Sequence, residues 1–180
     1  MDTSYRREID NLGSELSKII SCYDRPIDER LTKAGITIKY FINKKFDAFL
    51  RWDEENDCPL IALNANQSQN RMNFSMAHEL GHLVINYGWI PFQINSDVNS
   101  KMIDIKYRGG EYTKKERHEE TIVNEFAAAF LVPNDKLTEF IERNHELNYQ
   151  EMIIKISDDF NISVDAAKIR LDNFLSLSES

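Results

Sequence analysis

Cysteine is nearly absent from this chain: Cys22 and Cys58 are the two, far apart and in no metal-binding spacing. That excludes a disulfide-stapled scaffold and a thiolate zinc finger, and leaves two reduced thiols as the expectation. Long apolar runs are missing as well. Phe126 to Val132 is the longest, far short of the roughly 20 residues that span a bilayer, so no membrane helix is expected. The opening stretch Met1-Asp2-Thr3-Ser4-Tyr5-Arg6-Arg7-Glu8 is polar and has no apolar core. It does not read as a secretory signal, and a cytoplasmic location is expected. Positive charge is in deficit: Lys and Arg total 22 against 30 Asp and Glu, a formal net charge of -8. Such a surface repels phosphate backbones and argues against direct nucleic-acid binding. Gly and Pro number only 6 and 4, and no linker or low-complexity tract divides the 180 residues. The chain fits one domain, or one domain with a small appendage, and is large enough to bury a core.

The apolar pattern supplies the elements. Tyr5, Ile9, Leu12, Leu16, Ile19 and Ile20 follow helical spacing and predict an amphipathic opening helix. Three short runs read as strands, Ile36 to Ile42, Phe46 to Trp52 and Pro59 to Asn64, with linkers that suit antiparallel hairpins. A helix is predicted over about Ser68 to Tyr87, with Met76, Leu80, Leu83, Val84 and Tyr87 as its core stripe. A second is predicted over about Lys115 to Val132, stopped by Pro133, with Ile122, Phe126, Ala129 and Phe130 facing inward. Between them, 88–118 is irregular, with a candidate strand at Lys101 to Tyr107. The tail reads as helices near 135–145, 149–159 and 163–175, with Asn134 and Ser163 as candidate N-caps.

The chemistry lies in His78-Glu79-Leu80-Gly81-His82, an H-E-x-x-H pattern. Histidines at i and i+4 leave one face of a helix, so both imidazoles can reach a single ion, and the intervening glutamate can serve as base toward a metal-activated water. Such a site needs a third protein ligand. Glu120 and Asn124, four apart on the second helix, share a face away from the core stripe. Glu120 is the candidate ligand and Asn124 the acceptor for a ligand imidazole. Glu119 points about 100° away and is the weaker candidate. Ala127 and Ala128 are small enough to let the two helices approach. The longer H-E-x-x-H-x-x-G-x-x-H pattern fails, because Ile85 and Gly88 stand where Gly and His are required. Zinc is the expected metal, with manganese, iron or cobalt acceptable to the same donors. It would activate water and polarise a peptide carbonyl. Glu79 would take the proton and pass it to the leaving amine. For the oxyanion the candidates are Tyr107, Tyr112, Arg117 and His118. If Pro59 to Asn64 forms a sheet edge, it could hold an extended substrate as an added strand.

Arg71-Met72-Asn73-Phe74-Ser75-Met76-Ala77-His78-Glu79-Leu80-Gly81-His82 and Glu120-Thr121-Ile122-Val123-Asn124-Glu125-Phe126-Ala127-Ala128-Ala129-Phe130-Leu131-Val132-Pro133 together resemble the ImmA/IrrE-type metallopeptidases, in the right order along the chain. The likeness extends over about residues 5 to 175. Val123 departs from the usual small residue and Asn86 stands where many members carry a histidine; both are expected to be packing variants. The resemblance implies a protein substrate, a helix-turn-helix DNA-binding repressor cut under stress or on induction of a mobile element. A toxin partner and an antitoxin role are implied by some relatives.

The expectation is therefore an α+β, zincin-like metallopeptidase: a small antiparallel sheet, metal-binding helices and a helical C-terminal tail. Its core would be 1–133 and its helical extension 134–180. The alternatives are a metal-containing module or antitoxin that sequesters a partner without cleavage, and a DNA-binding regulator using the tail. Asp158 to Ala167 resembles a helix-turn-helix corner with Ile162 and Val164 as pegs. However, residues 149–175 carry five acids against three bases, which disfavours docking on phosphates. Residues 88–118 carry six bases against four acids and read as a docking loop for an acidic partner or as plain surface.

Overall fold

The computed structural model describes residues 2–20, 25–43, 46–93, 96–102 and 114–178. In chain order these form α1 (Thr3–Ile19), α2 (Ile27–Lys33), β1 (Thr37–Phe41), β2 (Ala48–Asp53), β3 (Cys58–Asn64), α3 (Gln69–Tyr87), α4 (Ser96–Lys101), α5 (Lys114–Leu131), α6 (Asn134–Arg143), α7 (Tyr149–Asp159) and α8 (Val164–Ser178). The fold is α+β and consistent with a zincin-like domain. Cys22, Tyr107 and Tyr112 lie outside the described residues. Of the candidate strand at Lys101 to Tyr107, Lys101 closes α4, Met102 follows that helix and the remainder is outside them.

The sheet corrects the antiparallel expectation. Its order is β1-β3-β2, with β1 parallel to β3 and β2 antiparallel to it. One hairpin is real. After β2 the Asp53 carboxylate accepts from the Glu55 N–H and the Asn56 amide, and Asp57 takes a left-handed φ of 50° to turn the chain. The link after β1 is a crossover past the end of β3. Asn64 holds it, donating from Nδ2 to the carbonyls of Asn43 and Phe46. β3 is thus the central strand, and the idea of Pro59 to Asn64 as a sheet edge fails. Pro59 to Asn64 is buried throughout, as a strand covered on both faces must be.

Helix α1 lies along α5, and its inner face is not the predicted stripe. Ile9, Leu16 and Ile20 are buried, but Tyr5, Leu12 and Ile19 are exposed, and Asp10, Gly13, Ser14 and Ser17 take the inward places. The reason is close approach. A Cβ on Gly13 would stand 2.5 Å from the Phe126 carbonyl oxygen and 3.1 Å from the Ala129 Cβ. Polar residues survive there because each has a partner. Ser14 Oγ accepts from the Asn134 N–H, and Ser17 accepts from Arg30, whose guanidinium also lies over the Phe130 ring. Gly13→Ala is expected to cost about 1–3 kcal/mol by overpacking, outweighing the ~1 kcal/mol by which alanine favours a helix. Urea denaturation measures this, and an equally stable variant would mean the helices separate without penalty.

The three C-terminal helices close a second apolar cluster of Val132, Leu137, Phe140, Ile153, Ile156, Ile162, Ala167 and Leu171. Polar bonds tie it to the rest. Fully buried Arg170 pairs with Asp10 of α1 and donates to the Val132 carbonyl at 2.9 Å and to Asn134 Oδ1 at 2.6 Å. Asn134 is therefore not a cap. Its side chain serves this network, donating to Asp10 Oδ2 at 2.7 Å, while Pro133 precedes the helix. Nearby, burial raises the pKa of Glu125 against the pull of Arg6 and Arg170. Ser163 does cap, accepting from the Ala166 N–H. In the α7–α8 corner Asn161 has a φ of 52° and Ile162 is buried, but Val164 is exposed and is no peg. The carbonyls of Asn161 and Ile162 accept from Asn73 and Asn70 of α3, so the corner rests on that helix.

Candidate metal centre

Helix α3 begins where Ser68 Oγ accepts from the Arg71 N–H and ends at Gly88, whose left-handed φ of 73° favours glycine. Arg71 also pairs with Asp47, fixing the start of the helix to the start of β2. Met76, Ala77, Leu80 and Leu83 bury one side. Gly81 sets the distance to α5: a Cβ there would come within 2.9 Å of Val123 Cγ1 and 3.0 Å of Phe126 Cδ1. The close approach of α3 and α5 is made here, by Gly81 against Val123 and Phe126.

With that spacing the predicted residues meet. The Nε2 atoms of His78 and His82 are 3.1 Å apart. From α5, Glu120 Oε2 lies 3.3 Å from His78 Nε2 and Oε1 lies 3.5 Å from His82 Nε2. Zinc ligands at about 2.0–2.1 Å and tetrahedral angles stand about 3.3 Å from one another. The donor set and its spacing thus fit a zinc ion, and these three residues could hold one. Both histidines are buried, while the Glu120 side chain keeps about a quarter of its surface (24%) toward solvent. Glu79 is 4% exposed. Asn124 Oδ1 sits 2.8 Å from His78 Nδ1, and the Phe74 ring centre is 6.3 Å from that of His78.

Glu119, the weaker candidate, stands apart. It lies within 3.9 Å of Lys115 and outside the cluster. Arg117 and His118 are exposed near the start of α5. One neighbour went unread in the sequence: Asn86, expected to be a packing variant, brings its side-chain Nδ2 to 3.1 Å from His82 Nδ1. Its position four residues after His82 was the available signal.

Residues 32–172 match the model of the Peptidase M78 family, described as the IrrE N-terminal-like domain. This chain belongs to that family. The M78 match covers the histidine pair, Glu120 and most of the C-terminal helices, and the family carries peptidase activity. No curated protein matches the chain. Among its described residues, no helix of the M78 protein is long and apolar enough to cross a membrane.

Proposed function

We propose that this M78 protein is a zinc-dependent, site-specific endopeptidase that cuts a protein partner, a helix-turn-helix transcriptional repressor, in the cytoplasm. The observation that carries the reading is the convergence of His78, His82 and Glu120 at tetrahedral edge lengths, with Glu79 next to the first of them on the same helix. The repressor as substrate rests on the family resemblance. In this reading residues 1–133 are the catalytic core and 134–180 an extension of it.

His78, His82 and Glu120 would hold the ion, and manganese or iron would suit the same donors. When bound, such an ion supplies Lewis acidity for activating water and polarising a peptide carbonyl. Glu79 takes a proton from the attacking water at its carboxylate and delivers it to the departing amine nitrogen. Asn124 orients His78 by accepting its Nδ1 proton, which leaves Nε2 free to ligate. An extended substrate segment would add to the outer edge of β2, the edge strand that packs against α3.

The test is the intact mass of helix-turn-helix repressors encoded beside this chain after incubation with the zinc-loaded protein. One cut is expected with zinc, none after chelation, and recovery on zinc return. A repressor that stays whole yet binds the zinc-loaded and chelated protein equally would instead establish a sequestering module.

A further inference from the structure

Helix α8 has one face that the described residues leave uncovered. Ala167, Arg170 and Leu171 turn inward, while Val164, Asp165, Lys168, Ile169, Asp172 and Leu175 are exposed. At 100° per residue those six fall within one arc of about 140°. Val164 and Ile169 each keep more than half of their surface in water, 52% and 57%, so the face is apolar as well as charged. Asp165 has no ion-pair partner among the described residues, and Asp172 accepts from the Tyr149 hydroxyl of α7. Helix α7 adds exposed Glu151, Asp158 and Asp159 against Lys155, which is already paired with Asp159 at 3.3 Å. The remaining base of the two helices, Arg170, is buried against Asp10. In a two-helix corner of this kind the second helix is the one that would enter a DNA groove. Here its outer face is apolar and acidic, which repels phosphate.

We propose that the outer face of α8 is a docking surface for a basic protein surface, the phosphate-contacting face of the DNA-binding partner taken above as substrate. The partner's class rests on that reading. Charge complementarity selects this occupant. A protein that binds DNA carries Lys and Arg where it meets the backbone. Those cations face Asp165 and Asp172, and their aliphatic stems cover Val164, Ile169 and Leu175. The place of the corner serves the same end. Just before α8, the carbonyls of Asn161 and Ile162 accept from Asn73 and Asn70 of α3 at 3.4 and 3.0 Å. Asn73 stands about 7.5 Å of helix ahead of His78, so α8 is fastened at its start to the helix that bears the metal donors.

The experiment uses the full chain, zinc-loaded and chelator-stripped, with a repressor encoded beside it as the probe. It compares wild type, Asp165→Asn/Asp172→Asn and Ile169→Ser. These side chains are exposed, so the variants should melt as wild type does. Binding of the intact repressor to stripped protein is expected to weaken about 10-fold in each variant, and to weaken for wild type as salt rises. With zinc, KM for the intact repressor should rise by a similar factor at unchanged kcat, because contacts away from the chemistry bind ground and transition states alike. A short peptide spanning the cut should be cleaved equally by all three. Variants that bind and cut the intact repressor as wild type does would overturn the docking surface and leave the peptidase reading standing. A repressor that binds wild type, loses affinity for the variants and is never cut would keep the docking surface and overturn the peptidase. A wild type that binds a duplex oligonucleotide through α8 would give the face to nucleic acid and overturn the proposal.

Discussion

Glu79→Gln is expected to lower kcat for the repressor cut by about 10²–10⁴-fold, the usual contribution of a general base. In activation free energy that is about 3–5 kcal/mol. The substitution keeps the shape of a side chain that is only 4% exposed, so it removes the proton acceptor and little else. Zinc stoichiometry should stay at one per chain, because His78, His82 and Glu120 are untouched. Single-turnover cleavage and metal analysis on the same preparation make the check. A Glu79→Gln protein that still cuts at the wild-type rate would remove Glu79 from the chemistry. One that also loses zinc would mean the residue acts through the fold.

The second large effect is on stability. Arg170→Met leaves the buried Asp10 carboxyl without its cation, and strips the Val132 carbonyl and Asn134 Oδ1 of a donor. Burial pulls the Arg170 pKa down, while Asp10 and Glu125 push it back up, so the pair is what keeps the charge tolerable. Removing one partner of such a pair costs about 3–5 kcal/mol. At about 2–4 °C per kcal/mol for a chain of this size, the melting temperature should fall by about 6–20 °C. The double variant Asp10→Leu/Arg170→Met should recover part of the loss, because no uncompensated charge remains. Calorimetry of the single and double variants decides it; additive losses would show that the charges do not act as a pair.

The helices were the most legible part of the sequence, for α3, α5 and the tail carry long stripes at helical period and their ends coincide with Ser68, Gly88 and Pro133. The histidine pair and the Glu120–Asn124 pair could be placed on faces because helical spacing alone fixes which residues share a side. Sheet pairing was not legible from linker length. The link after β1 looks like a hairpin, yet the strand order puts β3 between β1 and β2. The missed signal was burial: Pro59 to Leu63 is apolar without alternation, whereas Thr37 to Phe41 and Ala48 to Asp53 mix polar residues in. On α1 the apolar stripe misled, because a glycine and two serines can face a neighbouring helix more closely than leucines can. Asn86 lay within reach of the same reasoning: four residues after His82, it stands one turn on along the same face.

The Asp10–Arg170 pair joins residues 160 positions apart, and this orders events during synthesis. Helix α1 leaves the ribosome early but cannot finish its inner face until α5 has emerged to receive Gly13 and the neighbouring serines. Even then its buried carboxylate has no cation until α8 follows. Long-range closure of this kind is slow and leaves unfinished surface exposed in nascent chains. A ribosome stalled between α5 and α8 would therefore hold a chain whose candidate metal donors are all synthesised while the helix bracing them is still poorly anchored, a natural target for chaperones and quality-control proteases.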